Sequence, residues 1–234
     1  MQLRRTLLKA LAAAGLFGPA GISGLISNAL AKGNAPVAPG LHKLRGSVSV
    51  NGKPAREGQL VGAGDTVVTG PGSEAIYVIG QDAFLQRESS TVSFGADIAQ
   101  NLMRVVTGKI LSVFGKGTRS IRVSTATIGI RGTGCYIEDE PTRFGADGKV
   151  LAKAQTYFCL CYGEVDLLPK AIPAQREVYR TTHHDKPMVI HDDPDMPKCM
   201  APANVINHTD DELTLLEGLV GRWPPFYGQG GPKY

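Results

Sequence analysis

Residues 120–138 read S-I-R-V-S-T-A-T-I-G-I-R-G-T-G-C-Y-I-E, and residues 156–165 read T-Y-F-C-L-C-Y-G-E-V. In the first stretch Ile121 and Val123 alternate with polar residues, which is the pattern of a half-buried β-strand. Three glycines then follow at close spacing: Gly129, Gly132 and Gly134. Glycines this dense between β-type segments indicate positive φ or close backbone approach, so we predict a bend where a strand crosses between two sheets.

The rest of the chain indicates many short strands. Its 234 residues include 29 glycines and 15 prolines, and this length does not require more than one domain. Alternating residues 47–50 end at Asn51-Gly52, which is a strong hairpin signal. Similar segments recur at about ten-residue spacing, with turn residues between them. We therefore predict an all-β, jelly-roll-like sandwich over residues 45–169.

The amino terminus resembles an export signal. Arg4-Arg5 precedes an apolar run that ends in Ala29-Leu30-Ala31, an A-x-A cleavage pattern. The paired arginines favour a twin-arginine signal over a general secretory signal. An uncleaved anchor is a third interpretation, but glycines and a proline interrupt the run. We predict an export signal over residues 1–31, a linker over residues 32–44 and a periplasmic or otherwise exported protein.

Charge and motif content exclude several functional classes. Three of the 25 Lys and Arg residues lie in the leader, which leaves 22 basic against 21 acidic residues. This balance lacks the excess of basic residues that is typical of a nucleic-acid-binding protein. The sequence has no G-x-S-x-G elbow, no H-E-x-x-H and no C-x-x-C-H motif. We therefore predict no catalytic residue and no enzymatic activity.

An ordered set of strand and turn motifs resembles the FecR domain over residues 44–168. The motifs are Gly46-x-Val48, Asn51-Gly52, Gly64-Asp65-Thr66, Thr69-Gly70-x-Gly72-Ser73-x-Ala75, Gly108-Lys109-Ile110, Val123-Ser124-Thr125 and Arg131-Gly132-Thr133-Gly134. The resemblance implies a periplasmic, non-catalytic β-sandwich that senses or relays signals at the cell envelope. Its expected partner is an envelope protein, a glycan or a small ligand.

The chain also departs from that family. Members that control sigma factors carry a cytoplasmic amino-terminal domain and a membrane helix, whereas the signal here begins at residue 1. This difference argues against direct regulation of a sigma factor. No segment after the leader is long and apolar enough to predict a membrane span.

The carboxy-terminal part, residues 170–234, changes character. Residues 170–207 contain five prolines and no sustained period, so we predict an irregular strap lying over the sandwich. Thr209 and Glu212 then form a capping-box pattern, which predicts a short helix at about residues 210–221. Its apolar face is expected to pack on the β core, and its members are Leu213, Leu216, Leu219 and Val220.

Three cysteines lie close to the predicted bend. Cys159 and Cys161 are two residues apart on a predicted strand, so their side chains leave the same face. A turn at Asp147-Gly148 places Cys135 opposite residue 160, give or take one residue. We therefore expect the thiols of Cys135, Cys159 and Cys161 to lie side by side.

Two interpretations of these thiols stay open. In an exported protein, Cys135 is expected to pair with Cys159 or Cys161, and Cys199 with the other. Alternatively Cys135, Cys159 and Cys161, with a histidine from His183-His184, hold zinc, an iron-sulfur cluster or another metal, and the protein is then a redox or electron-transfer protein. The C-x-C spacing is looser than in most compact zinc sites and favours the disulfide. His208 is assigned to the neighbouring capping box.

Overall fold

The structure, a computed structural model, describes residues 35–95 and 102–229, and the predicted leader lies outside them. The described residues form sixteen strands and one α-helix. The strands are β1 Gly40–Arg45, β2 Val48–Val50, β3 Lys53–Pro54, β4 Thr66–Thr69, β5 Glu74–Ile79, β6 Asp82–Gln86, β7 Ser90–Phe94, β8 Leu102–Val113, β9 Thr118–Arg122, β10 Ala126–Glu140, β11 Arg143–Phe144, β12 Val150–Ala152, β13 Gln155–Pro169, β14 Glu177–Thr181, β15 Met188–His191 and β16 Met200–Pro202. The helix is α1, Asp210–Leu219, so the prediction of an all-β fold with one short helix is confirmed.

Three long strands, β8, β10 and β13, build the sandwich because each belongs to both layers. Residues 127–131 of β10 pair with β9, whereas residues 134–139 pair with β8. Likewise β13 pairs with β15 through residues 155–158 and with β14 through residues 163–167. One layer therefore has the order β3-β2-β4-β7-β8-β9-β10-β13-β14, and the other β1-β5-β6-β8-β10-β13-β15-β16.

The bends in β10 and β13 lie against each other. β10 turns at Gly132, where φ is 57° and the register shifts. β13 turns at Gly163, where φ is 100°. A Cβ atom on Gly163 would lie 2.8 Å from the carbonyl oxygen of Gly132. The predicted crossing between layers is confirmed, and Gly163 is required there because a side chain has no room.

Two apolar clusters hold the layers together. The inner cluster lies between the layers and includes Ile110, Ile137 and Phe158. The outer cluster lies on the other face of the second layer, where α1 covers it. The leucines at positions 213, 216 and 219 are buried there, which confirms the predicted apolar face of the helix.

Local capping chemistry places the start of α1. The Thr209 side chain accepts the backbone N–H of Glu212, and the Glu212 carboxylate accepts the backbone N–H of Thr209. This reciprocal arrangement confirms the predicted capping box. None of the described helices has the length and apolar character of a membrane span.

Two segments are more ordered than their composition indicated. Residues 40–44 of the predicted linker belong to β1, which pairs with β5. The predicted strap contributes β14, β15 and β16. The backbone N–H and C=O groups along one edge of β13 need hydrogen-bond partners. β14 and β15 supply them despite nearby prolines, and β16 pairs with β15.

Candidate metal centre

The register of β10 against β13 decides which cysteines share a site. Cys135 lies opposite Leu160, as the predicted turn required, and Tyr136 lies opposite Cys159. Directly opposite residues share a face, so Cys135 points with Leu160 into the inner cluster. Cys159 and Cys161 point instead into the outer cluster. The expected group of three neighbouring thiols is therefore wrong, because Cys135 lies on the other face of the layer.

Four buried side chains converge where α1 begins. Cys159, Cys161, His184 and His208 each offer one ligand atom, and these atoms all lie within 4.8 Å of one another. The two cysteines come from β13, His184 comes from the turn between β14 and β15, and His208 precedes α1. The fold thus gathers the group from three separate segments.

The turn that carries His184 has an unusual backbone. His184 adopts a φ of 50°, a region that residues other than glycine seldom occupy. Its backbone N–H donates to the carbonyl of Cys161 at 3.0 Å, and the turn is closed by bonds between Thr181 and Asp185. As a result His184 Nδ1 lies 3.4 Å from the Sγ atom of Cys159.

His208 is fixed from both sides. Its Nδ1 donates to the carbonyl oxygen of Ile206 at 2.6 Å, since a carbonyl oxygen can only accept. This bond assigns the proton to Nδ1 and directs Nε2 inward, 3.2 Å from His184 Nδ1. The ring also stacks on Tyr136 with 4.7 Å between centroids.

Asp210, the first residue of α1, orients the other histidine. Its carboxylate lies 3.2 Å from His184 Nε2 and 3.0 Å from His183 Nε2. A carboxylate that accepts from the outer nitrogen of a histidine is the usual support of a metal ligand, because it fixes the tautomer and ring orientation. His183, which we predicted as a possible ligand beside the thiols, contacts Asp210 instead.

Neighbouring groups and burial shift the pKa values of three of the four ligands. The Cys161 thiol, with His184 and His208, holds the pKa of Cys159 well below its usual range and outweighs burial. Burial raises the pKa of Cys161. Burial alone would lower the pKa of His184, but its bonds to Asp210 and Cys159 outweigh burial and raise it to about 9. Both shifts favour the charged forms of Cys159 and His184.

The observed spacings match those of a tetrahedral metal site. With Zn–S bonds of about 2.3 Å and Zn–N bonds of about 2.0–2.1 Å, tetrahedral ligands lie about 3.3 Å apart for N···N and about 3.5 Å for N···S. The corresponding distances here are 3.2 Å between His184 Nδ1 and His208 Nε2, and 3.4 Å between His184 Nδ1 and Cys159 Sγ. The group can therefore receive a cation without rearrangement of these three atoms.

The disulfide interpretation does not describe this structure. All four cysteines are free thiols and buried. Cys135 is separated from Cys159 and Cys161 by the sheet, and the Cys199 thiol donates to Gln175 Oε1 at 3.3 Å. The thiols of Cys159 and Cys161 face histidines, which is the environment of a ligand set.

Sequence reasoning missed His208 and Asp210. A signal for them was present, because the capping box placed the start of the helix at residue 210 and its leucines required packing on the β core. If the helix had been assigned to the face of the sheet that carries Cys159 and Cys161, His208 and Asp210 at the helix start would have been candidates for the site.

The comparisons with known proteins are sparse. No protein-family model matches the chain, and no curated protein matches it. Two crystal structures of a candidate anti-sigma factor from Parabacteroides distasonis ATCC 8503 are similar to it, with TM-scores of 0.44 and 0.43 and 7% identity in each. Each match covers 59% of this chain and 59% of the solved chain. The FecR resemblance accordingly stays a prediction.

Proposed function

We propose that this protein is an exported, non-catalytic binding and sensing module of the cell envelope whose ligand is one Zn²⁺-like ion. The ion is held by Cys159, Cys161, His184 and His208. One observation carries the proposal: the outer nitrogens of both histidines are engaged, by Asp210 and by the Ile206 carbonyl, so that their inner nitrogens converge with two thiols.

The chemistry of the ligand set favours a zinc-class ion. Two thiolates and two imidazoles suit Zn²⁺, whereas Ca²⁺ and Mg²⁺ require oxygen ligands. Four protein ligands close a tetrahedral site and leave no position for a substrate, which is the arrangement of structural rather than catalytic zinc. An iron-sulfur cluster on the three predicted cysteines is not proposed, since Cys135 faces the inner cluster.

Sensing is supported by the origin of the ligands. His184 and His208 come from segments that follow the β10–β13 crossing, and α1 begins two residues after His208. An occupied site therefore ties the carboxy-terminal segments to β13, so occupancy changes how firmly α1 is held. The envelope location rests on the predicted leader and on the FecR resemblance.

The proposal predicts a stoichiometric metal. Protein purified after native export, without chelator, is expected to contain about one equivalent of a zinc-class ion, measured by elemental mass spectrometry. The Cys159→Ser, Cys161→Ser double variant is expected to lose it because both thiolate ligands are gone. The matched control, Cys135→Ala with Cys199→Ala, removes two buried thiols outside the site and is expected to retain the ion.

Thiol reactivity separates this function from a disulfide. In unfolded wild-type protein, all four cysteines are expected to react with a thiol reagent after chelation and without a reductant. Metal-free wild-type protein in which Cys159 and Cys161 react only after reduction would contradict the proposal. Equal metal content in the double variant and its control would contradict it as well.

Asp210 is expected to support the ion held by the four inner ligands without being one of them. The Asp210→Asn variant keeps the shape of the side chain and loses the charge that polarises His184, so we expect zinc affinity to fall about 10-fold. Competition with a chromophoric chelator measures this change. The control is Asp211→Asn, the adjacent exposed acid of the same helical turn, for which unchanged affinity is expected. Equal affinities of the two variants would show that Asp210 has no such part.

A further inference from the structure

We infer that His183 and Asp210 form an outer station through which the metal ion reaches the buried ligands. This inference rests on the proposed function and concerns how the same site is loaded. The station consists of His183 Nε2, a carboxylate oxygen of Asp210 and His184 Nε2, which lie within 4.8 Å of one another.

Exposure differs sharply between the inner ligands and the station. The side chain of His184 is 0% exposed, and Cys159 and Cys161 are fully buried as well. The side chains of His183 and Asp210 are 19% and 12% exposed. Among the described residues, these two ligand-type groups thus contact both the solvent and the buried set. An ion that arrives on this side of the site meets them first.

His184 connects the two ligand sets through its ring. Its Nε2 faces Asp210 at 3.2 Å, and its Nδ1 faces Cys159 at 3.4 Å. An ion can therefore move inward by ligand exchange. Bonds to Nδ1 and to the thiolates form as the bonds to His183, Asp210 and His184 Nε2 break. His184 Nε2 takes up a proton and donates it in a hydrogen bond to the Asp210 carboxylate, while the protons displaced from Nδ1 and from the thiols leave to solvent. The metal keeps its oxidation state, so no redox partner is needed.

Phe226 forms the cover of this route. Its half-buried ring lies 4.4 Å from the ring of His183 and 6.2 Å from that of His184, measured between centroids. It belongs to the irregular segment after α1 rather than to the sheet. Displacement of that segment exposes the station. It breaks the edge-on contact between Phe226 and Tyr162 of β13, whose centroids lie 5.9 Å apart, but no backbone pairing of that strand.

The opposite side of His208 offers a less suitable route. A cleft of about 420 Å³ reaches His208 there, and Arg87 and Lys109 line it together with Glu88 and Glu212. The Glu212 carboxylate is paired with Arg87 at 2.8 Å, which neutralises it. Arg87 and Lys109 together cancel the charges of Glu88 and Glu212, so the cleft has no net negative charge to attract a cation.

Loading kinetics test the inference with Co²⁺ alone as the probe. Metal-free full-length protein is mixed rapidly with Co²⁺, and the thiolate-to-cobalt charge-transfer band is followed. For His183→Ala and His183→Gln we expect loading to slow about 10-fold, because the capturing ligand is lost. Final stoichiometry is expected to remain one ion, with affinity within about threefold, because His183 is not one of the four inner ligands. Lys109→Ala and His42→Ala serve as controls and are expected to load at the wild-type rate.

The outcomes are distinguishable. Normal bands with unchanged rates in both His183 variants would overturn the inference alone. A changed rate in Lys109→Ala with wild-type rates in the His183 variants would overturn it in favour of the cleft. If wild-type protein develops no charge-transfer band, the proposed function fails and the inference fails with it.

Discussion

Zinc is expected to raise the free energy of unfolding by about 4 kcal/mol when the free ion is present at about 1,000 times its dissociation constant. The reason is that the four ligands converge only in the folded chain, since they come from β13, the turn after β14 and the segment before α1. For a protein of this size the gain corresponds to an increase in Tm of about 8–16 °C. Thermal unfolding with zinc, and again with excess chelator, measures it.

The location of the gain is as informative as its size. Cys159→Ser with Cys161→Ser is expected to abolish the shift, whereas Cys135→Ala is expected to keep it because Cys135 faces the inner cluster. In backbone amide hydrogen exchange, we expect the largest zinc-dependent increase in protection in residues 181–185 and in α1, the segments that the ion ties to the sheet. An equal shift in the double variant would mean that zinc binds elsewhere.

Gly163→Ala is expected to destabilise the protein by about 3–4 kcal/mol, through backbone strain and overpacking. The residue has a φ of 100°, and a Cβ there would lie 2.6 Å from Thr133 Cγ2 and 2.8 Å from the Gly132 carbonyl oxygen. Neither neighbour can retreat easily, because β10 and β13 cross between layers at this point. Urea unfolding with and without zinc measures the loss.

Gly129→Ala is the matched control on the same pair of strands. A Cβ at Gly129 would lie 3.5 Å from Asp166 Cβ, an ordinary contact. Its backbone is also outside the left-handed region. We expect a change within about 1 kcal/mol of either sign. Similar losses for the two variants would contradict the assignment of the crossing to Gly163.

Much of the architecture could be predicted because its causes are local. Alternating residues, the Asn51-Gly52 turn and the capping box each depend on a few neighbouring side chains, and all three appear as predicted. The glycine cluster marked the bend in β10 for the same reason. By contrast β14 and β15 formed in a proline-containing segment because one edge of β13 required backbone partners, and β16 then paired with β15. That requirement is not visible in the segments themselves.

The candidate site was predicted in part. Cys159, Cys161 and His184 were named together, since two cysteines at i and i+2 on a strand must share a face. Cys135 was placed correctly opposite residue 160 but assigned to the wrong face. A one-residue uncertainty in register exchanges the two faces of a strand, so the pattern could not decide this point.

The sequence by itself determined that this protein is an all-β sandwich with a short capped helix, because periodicity, turns and caps are set by neighbouring residues. Only the tertiary structure decided which thiols share a site and that His208 and Asp210 join them. Those choices depend on the register of β10 against β13 and on the packing of α1 over the outer face. Both are contacts between residues far apart in the chain, which no local pattern encodes.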